Sequence, residues 1–280
     1  MKLLIRFLRK FSLLKNFNLV GTYPHEKSIK IPVIKSIGYS HYFEEEPWLK
    51  NLLKGILLSP LYQNSFIDIG VNIGQTLLKV KSINSSIEYI GFEPNPNCLF
   101  YLNELLECNA FENVSIFPLA LSTKSGVIDL DFFTESSTDS SASIVPGFRK
   151  GSKRKMKIPM VNGADILLAQ TNKAGLIKVD VEGGELEVIK GILPLIQRDR
   201  PVIICEVLPV YSPENVFRLT RQKELEEIFS TLQYKVGLVD GAVRIKEIGS
   251  IGIHTDITKV NYLFFPEEKR EELGNLLNIF

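Results

Sequence analysis

The chain predicts a doubly wound α/β fold on a mostly parallel sheet, preceded by an N-terminal helical extension. Two observations carry this reading. From residue 65 onward, short β-branched and aromatic runs alternate with helical stretches, and the first such run breaks into a glycine turn that opens a helix. Seven strands are expected, at 65–69, 87–92, 114–118, 176–181, 202–207, 235–239 and 262–265. Helices are expected at 73–81, at 96–108, from 185 through 191 and beyond, and at 222–232.

Residues 1–17 place Lys2, Arg6, Arg9, Lys10 and Lys15 among leucines and phenylalanines, with no acid. Cations break every apolar run, so the segment has neither a secretory core nor the length to span a bilayer. Leu4, Phe7, Leu8, Phe11 and Leu14 share a helical face, with Lys2, Arg6 and Arg9 grouped elsewhere. This predicts an amphipathic helix that either lies on an anionic membrane surface or docks on the domain or a second subunit. Residues 18–40 read as a loop or a short strand pair, which ends a lead-in of 1–40; the main domain runs over 41–280. Its first helix begins near Pro47, where proline fits a first turn and Glu44, Glu45 and Glu46 suit the positive end of the dipole.

The next feature carries the chemistry. Asp68-x-Gly70-x-Asn72-x-Gly74 is a strand end followed by a turn and a helix start with unpaired N–H groups. Glycine at 70 and 74 is expected to let a ligand approach the backbone, and Asp68 to point into the same crevice. The following strand ends in Glu93, spaced to hydrogen-bond both hydroxyls of a ribose. An acid and an amide in the turn repel a pyrophosphate but suit a cofactor with an ammonium tail and a cationic sulfur, which describes S-adenosylmethionine. A turn that uses glycine only for tight packing is the structural alternative.

Between the third and fourth main strands lies an insert with an extra strand at 127–133 and a serine- and threonine-rich loop at 135–143, of the length of an active-site lid. A basic stretch at 149–157 follows, either a solvated loop or a landing point for a phosphate or acidic sugar. The fourth strand ends beside the first, which puts Asp180 and Glu182 in the crevice, with alternation placing both on one face. Asp180 is the first candidate for a general base and Glu182 the second. Alternatively Asp180 orders the cofactor turn and Glu182 caps the next helix. A magnesium ion held by Asp180, Glu182 and Asp165 is the metal-dependent alternative to a preferred metal-free site.

Four stretches, Asp68-x-Gly70-x-Asn72-x-Gly74, Gly91-Phe92-Glu93-Pro94, Ala120-Leu121-Ser122 and Lys178-Val179-Asp180-Val181-Glu182-Gly183-Gly184-Glu185, resemble the FkbM-like methyltransferases in order and spacing. The resemblance spans roughly residues 40–266 and implies a Rossmann-like class I methyltransferase fold, seven-stranded with an antiparallel last hairpin strand. It implies S-adenosylmethionine held by Asp68, Gly70, Asn72, Gly74, Glu93 and Ala120, and O-methylation of a hydroxyl on a sugar, glycan or related small metabolite. Asp165 alone remains where the family has an acidic pair, and Gly184 stands where it commonly has alanine.

The 280 residues are 45% hydrophobic, enough for one large core, and the net charge of +1 argues against a nucleic-acid partner held by a global positive field. Cys98, Cys108 and Cys205 lack metal-ligand spacing and favour a reduced, cytoplasmic setting, at the inner face of the membrane if the first helix binds lipid. His25, His41 and His254 are isolated, without a zinc pattern, although His41 is placed to close over the site. Two other functional readings compete: a nicotinamide-dependent oxidoreductase, which Glu93 suits and the absent G-x-G-x-x-G does not, and a non-catalytic module that keeps the cofactor pocket.

Overall fold

A computed structural model describes the chain except for residues 25, 44–45, 60–61, 63–64, 172, 241–243 and 278–280, and except for the side chains of 27 and 240. His25, Glu44 and Glu45 lie outside the described residues. In chain order the elements are α1 (Lys2–Lys10), β1 (Asn18–Tyr23), β2 (Glu26–Ile34), α2 (Pro47–Leu57), β3 (Ser65–Ile69), α3 (Gln75–Ile83), β4 (Tyr89–Phe92), α4 (Pro96–Asn109) and β5 (Val114–Phe117). There follow β6 (Ala120–Ser122), β7 (Gly126–Phe132), β8 (Arg154–Asn162), α5 (Gly163–Gln170), β9 (Ala174–Val179), α6 (Glu185–Gly191), α7 (Leu193–Asp199) and β10 (Val202–Glu206). The chain closes with α8 (Val216–Thr231), β11 (Tyr234–Asp240), β12 (Arg244–Ile248), β13 (Asn261–Pro266) and α9 (Arg270–Leu277).

The main sheet runs β12-β11-β13-β10-β9-β3-β4-β5. β10, β9, β3, β4 and β5 are mutually parallel, whereas β13 is antiparallel to both its neighbours. All seven expected strands are present, but the sheet is eight-stranded and mixed. The added strand, β12, pairs with β11 as a hairpin at the edge. It escaped sequence reading because its five residues, Arg-Ile-Lys-Glu-Ile, bury only Ile245 fully and so give no sustained alternation.

Central strands are covered on both faces, which is why β3 is buried along its whole length. Phe66, Leu176 and Ile204 face one apolar layer, shared with α2, α3, α4 and α9; Ile67, Ile177 and Ile203 face the other, shared with α5, α6, α7 and α8. β1 and β2 form an antiparallel strand pair, one of the two expected alternatives for 18–40. Ile29, Ile31 and Val33 of β2 join the first layer together with Ile5, Leu8 and Leu14. The buried side of α1 therefore differs from the expected face: Leu4, Phe7 and Phe11 are exposed. Among the described residues, no helix is long and apolar enough to cross a membrane.

A second small sheet, β6-β8-β7, encloses its own apolar cluster of Leu130, Phe132, Ile158 and Met160, on which Ile144, Val145 and Phe148 of the 133–148 connection pack. The basic stretch is partly strand rather than loop. Lys155 pairs with Asp131 at 3.2 Å and Lys157 with Asp129 at 2.7 Å across the β7–β8 ladder, and Arg154 covers the Phe132 ring. These three cations pair within the hairpin. Elsewhere Lys81 is buried and donates to the carbonyls of Ser85, Ile87 and Glu112 at 3.0, 2.7 and 2.7 Å, closing the loop after α3.

Candidate cofactor and acceptor site

The turn after β3 is stitched to its neighbour, Gly70 and Val71 both donating to the Phe92 carbonyl. Gly70, Asn72 and Gly74 all take positive φ, of 96°, 51° and 89°. From sequence the glycines are expected to let a ligand approach the backbone, but the space that their missing Cβ leaves is filled by the protein itself. A Cβ on Gly70 would sit 1.9 Å from the Asp180 carbonyl oxygen, and one on Gly74 would meet Leu105 and Leu102 of α4. Their absence of a side chain lets β3's exit pack against β9's exit and lets α4 close on the turn.

Glu93, just past β4, organises what the glycines permit. One carboxylate oxygen accepts from the Asn72 N–H and the other from the Asn95 N–H, both at 2.8 Å. Burial pushes its pKa up to about 7, against these two donors. Asn95 caps α4 by accepting from the Asn97 N–H and donates its amide to the Ser137 carbonyl at 3.0 Å, which ties the serine-rich connection to the turn. Asp68 departs from expectation: it lies fully buried beneath the turn, accepts from the Tyr89 hydroxyl, and does not line the cavity. Its Oδ1 has no hydrogen-bond partner, and burial lifts its pKa to about 6.

These elements enclose a cavity of about 570 Å³, the size of a small-molecule site. Gly70, Asn72, Glu93 and Ala120 line it, as do Asp180 and Glu182; Gly74, behind the turn, does not. From the insert, Leu130, Asp139, Ser140, Ala142 and Ile144 complete a wall, so the serine-rich connection does cover the site. Asp139 holds that connection in shape by accepting from the N–H groups of Phe133, Thr134 and Ser141.

The far end of the cavity is a carboxylate cluster. β9 stops at Val179, so Asp180 and Glu182 stand in the turn beyond it and not on one face of a strand as alternation implied. Burial pushes the Asp180 carboxyl up, but Lys178, whose ammonium lies 2.7 Å away, outweighs it and holds the group ionised. Glu206, the last residue of β10, also lines the cavity and hydrogen-bonds to Asp180. Burial, and then the Asp180 charge, push Glu206 well above the ordinary carboxylate value, so Glu206 holds a proton while Asp180 stays ionised. Glu182 takes a left-handed φ of 52°, forms an ion pair with Arg149, and is raised mainly by burial. Beside it, Glu185 accepts from the Gly183 N–H at 2.7 Å and opens α6.

Sequence reasoning named Lys178 only as part of a motif and missed Glu206, although a charged residue ending a parallel strand is the signal that marks such a crevice. Glu46 and Phe43 also reach the rim, Glu46 while paired with Lys79 at 2.8 Å. His41 is structural: buried, pulled down to about 3 by burial, with Nε2 set 3.1 Å from the Ile73 carbonyl in the cofactor turn. His254 meets the Tyr262 hydroxyl instead. Asp165 sits in the first turn of α5, away from the cavity wall. Among the described residues, no group of three or more His, Cys, Asp and Glu side chains is arranged to hold a metal.

This geometry can be set beside known proteins. The chain is 28% identical over 228 residues to the hexuronic acid methyltransferase AglP of Haloferax volcanii, covering 76% of this chain and 90% of that protein. It is also 28% identical over 165 residues to methyltransferase sdnD of Sordaria araneosa, covering 48% of this chain and 63% of that one. Among solved structures, a methyltransferase FkbM from Methylobacillus flagellatus matches at 19% identity and a TM-score of 0.47, over 81% of this chain; the chain spans about half, 49%, of that one. A family profile, the methyltransferase FkbM domain, matches residues 68–236, from Asp68 at the cofactor turn to Val236 in β11. That match covers more than half of the chain and contains the whole parallel core of the sheet from β4 onward, so the chain belongs to the FkbM methyltransferase domain family.

Proposed function

We propose that the protein is an S-adenosylmethionine-dependent O-methyltransferase acting on a hydroxyl of a sugar, glycan or other small metabolite. One observation carries the reading: a cavity whose floor is set by Glu93, buried and braced by two backbone N–H groups, and whose far end is a cluster of carboxylates around one lysine. Such a donor set fits a nucleoside with a cationic tail and opposes a pyrophosphate. Membership in a methyltransferase family sets aside the nicotinamide oxidoreductase, and the similarity to AglP, a hexuronic acid methyltransferase, supports a sugar acceptor.

Glu93 and Asn72 would hold the nucleoside, and the acids at the ends of β9 and β10 would face its charged tail. The bound cofactor supplies an electrophilic methyl group. What remains for the protein is alignment, exclusion of water and removal of the acceptor's proton. Asp180 is ionised because Lys178 neutralises it, and it accepts that proton as the new bond forms, with Glu206 hydrogen-bonded behind it. The 133–148 connection, pinned to Asn95, keeps water out.

Calorimetry with S-adenosylmethionine, S-adenosylhomocysteine and NAD tests the first step; binding of NAD alone overturns the reading. Isotope-labelled methyl donor incubated with uronate-bearing oligosaccharides and extracted glycans tests the second. Cofactor binding without transfer to any hydroxylated acceptor would favour the non-catalytic module.

A further inference from the structure

Side chains around α1 fall into three sectors, as about 100° per residue dictates. Ile5 and Leu8 point into the protein and are buried. Lys2, Arg6, Arg9 and Lys10 form the second sector. Leu3, Leu4, Phe7 and Phe11 form the third, and they stay 79%, 46%, 57% and 55% exposed although the helix is already docked. The rings of Phe7 and Phe11 lie 4.9 Å apart, so the exposed stripe is continuous. Leu13 and Phe17 are exposed beyond its end. Residues 1–24 contain no aspartate or glutamate.

We propose that α1 lies in the headgroup boundary of an anionic bilayer, with Leu3, Leu4, Phe7 and Phe11 turned to the acyl chains and the adjoining cations to lipid phosphates. Charge complementarity selects this occupant. A bilayer meets an apolar stripe and its flanking cations at once. A second copy pairing through the same stripe about a twofold axis would bring each cationic sector against its twin. The docked sector gives the helix a fixed attitude. Arg6 and Arg9 sit over the rings of Phe43 and Tyr39 at 5.2 and 4.6 Å, and Phe43 also lines the cofactor cavity. Phe43 thus touches a cation of α1 and the cavity rim at once, which sets the membrane-facing helix beside the cavity mouth and suits an acceptor carried on lipid.

The test uses the full chain and phosphatidylcholine vesicles with or without about one third phosphatidylglycerol. We expect co-sedimentation with the anionic vesicles at low salt, release as salt screens the charge, and no retention on phosphatidylcholine alone. Phe7→Ser with Phe11→Ser should lower the partition at least about tenfold while leaving the melting temperature unchanged, since both rings are exposed. Lys10→Gln should lower it about fivefold. Absence of binding to anionic vesicles at low salt overturns the proposal. So does equal binding by the double variant, or a dimer in solution that the double variant dissociates. None of these readouts depends on methyl transfer, so failure here leaves the methyltransferase reading standing.

Discussion

Glu93 makes the cofactor site sensitive to pH in a way that can be worked out beforehand. In the free protein its carboxyl is buried, braced by the Asn72 and Asn95 N–H groups, and raised to about 7. In the proposed complex a ribose would donate to the carboxylate and a cationic tail would favour every nearby acid ionised, so binding would compete with protonation. At pH 6 about nine-tenths of Glu93 is protonated and at pH 8 about one-tenth, so affinity should rise about tenfold across that interval, or roughly 1.4 kcal/mol. Glu93→Gln removes this titration while preserving shape. It should also lose about 2–3 kcal/mol of affinity at pH 8, some 30- to 150-fold, the worth of hydrogen bonds to a charged group. Calorimetric titration of both proteins with S-adenosylhomocysteine at the two pH values is the assay, and comparing them cancels any titration of the ligand. If the variant keeps the same slope, or binds as tightly at pH 8, Glu93 is not the group that meets the ribose.

Asp180→Asn should abolish turnover with cofactor affinity nearly intact, because the amide cannot take a proton; a fall in affinity alone would move Asp180 into the binding turn. Gly70→Ala should cost at least about 3 kcal/mol in urea unfolding, since its Cβ would lie 1.9 Å from the Asp180 carbonyl at a φ of +96°, and near-normal stability would refute that account. Lys81→Met should cost about 1–3 kcal/mol by leaving the buried Ile87 carbonyl and two part-buried carbonyls without their shared donor, and a change below about 0.5 kcal/mol would show that water replaces the ammonium. Asp68, Glu93 and Glu185 are raised by burial to about 6, 7 and 7. Their folded values exceed the unfolded ones, so the ligand-free protein should lose stability as pH rises from about 4 to 7, by at least about 2 kcal/mol in the urea midpoint series; a rise instead would show that these acids are already ionised in the fold.

The strands at the centre of the sheet were legible because β3, β9 and β10 are buried on both faces, and burial forces continuous runs such as Phe-Ile-Asp-Ile and Val-Ile-Ile-Cys. The cofactor turn was legible because positive φ restricts residue type: glycine at 70 and 74 and asparagine at 72 are what such backbone accepts. Edge strand β12 was not, since one buried isoleucine in five residues leaves no pattern. Nor was the pairing of Lys155 and Lys157 with acids more than twenty residues earlier, because it depends on the register of the β7–β8 ladder.

From sequence alone came the α/β class, the seven core strands, the turn at 68–74, and Glu93, Asp180 and Glu182 as acids sharing one crevice. Each of these rests on a constraint that acts within a few residues: burial periodicity, backbone torsion, or position at a strand's end. Tertiary structure decided what those groups touch. It buried Asp68 under the turn with Tyr89, spent the space beside Gly70 on the Asp180 carbonyl, joined Glu206 to Asp180 across adjacent strands, and left Phe7 and Phe11 outside while drawing Ile5 in. Those outcomes depend on which neighbour, from a distant part of the chain, occupies the volume next to a side chain, and packing settles that only when all the layers close together.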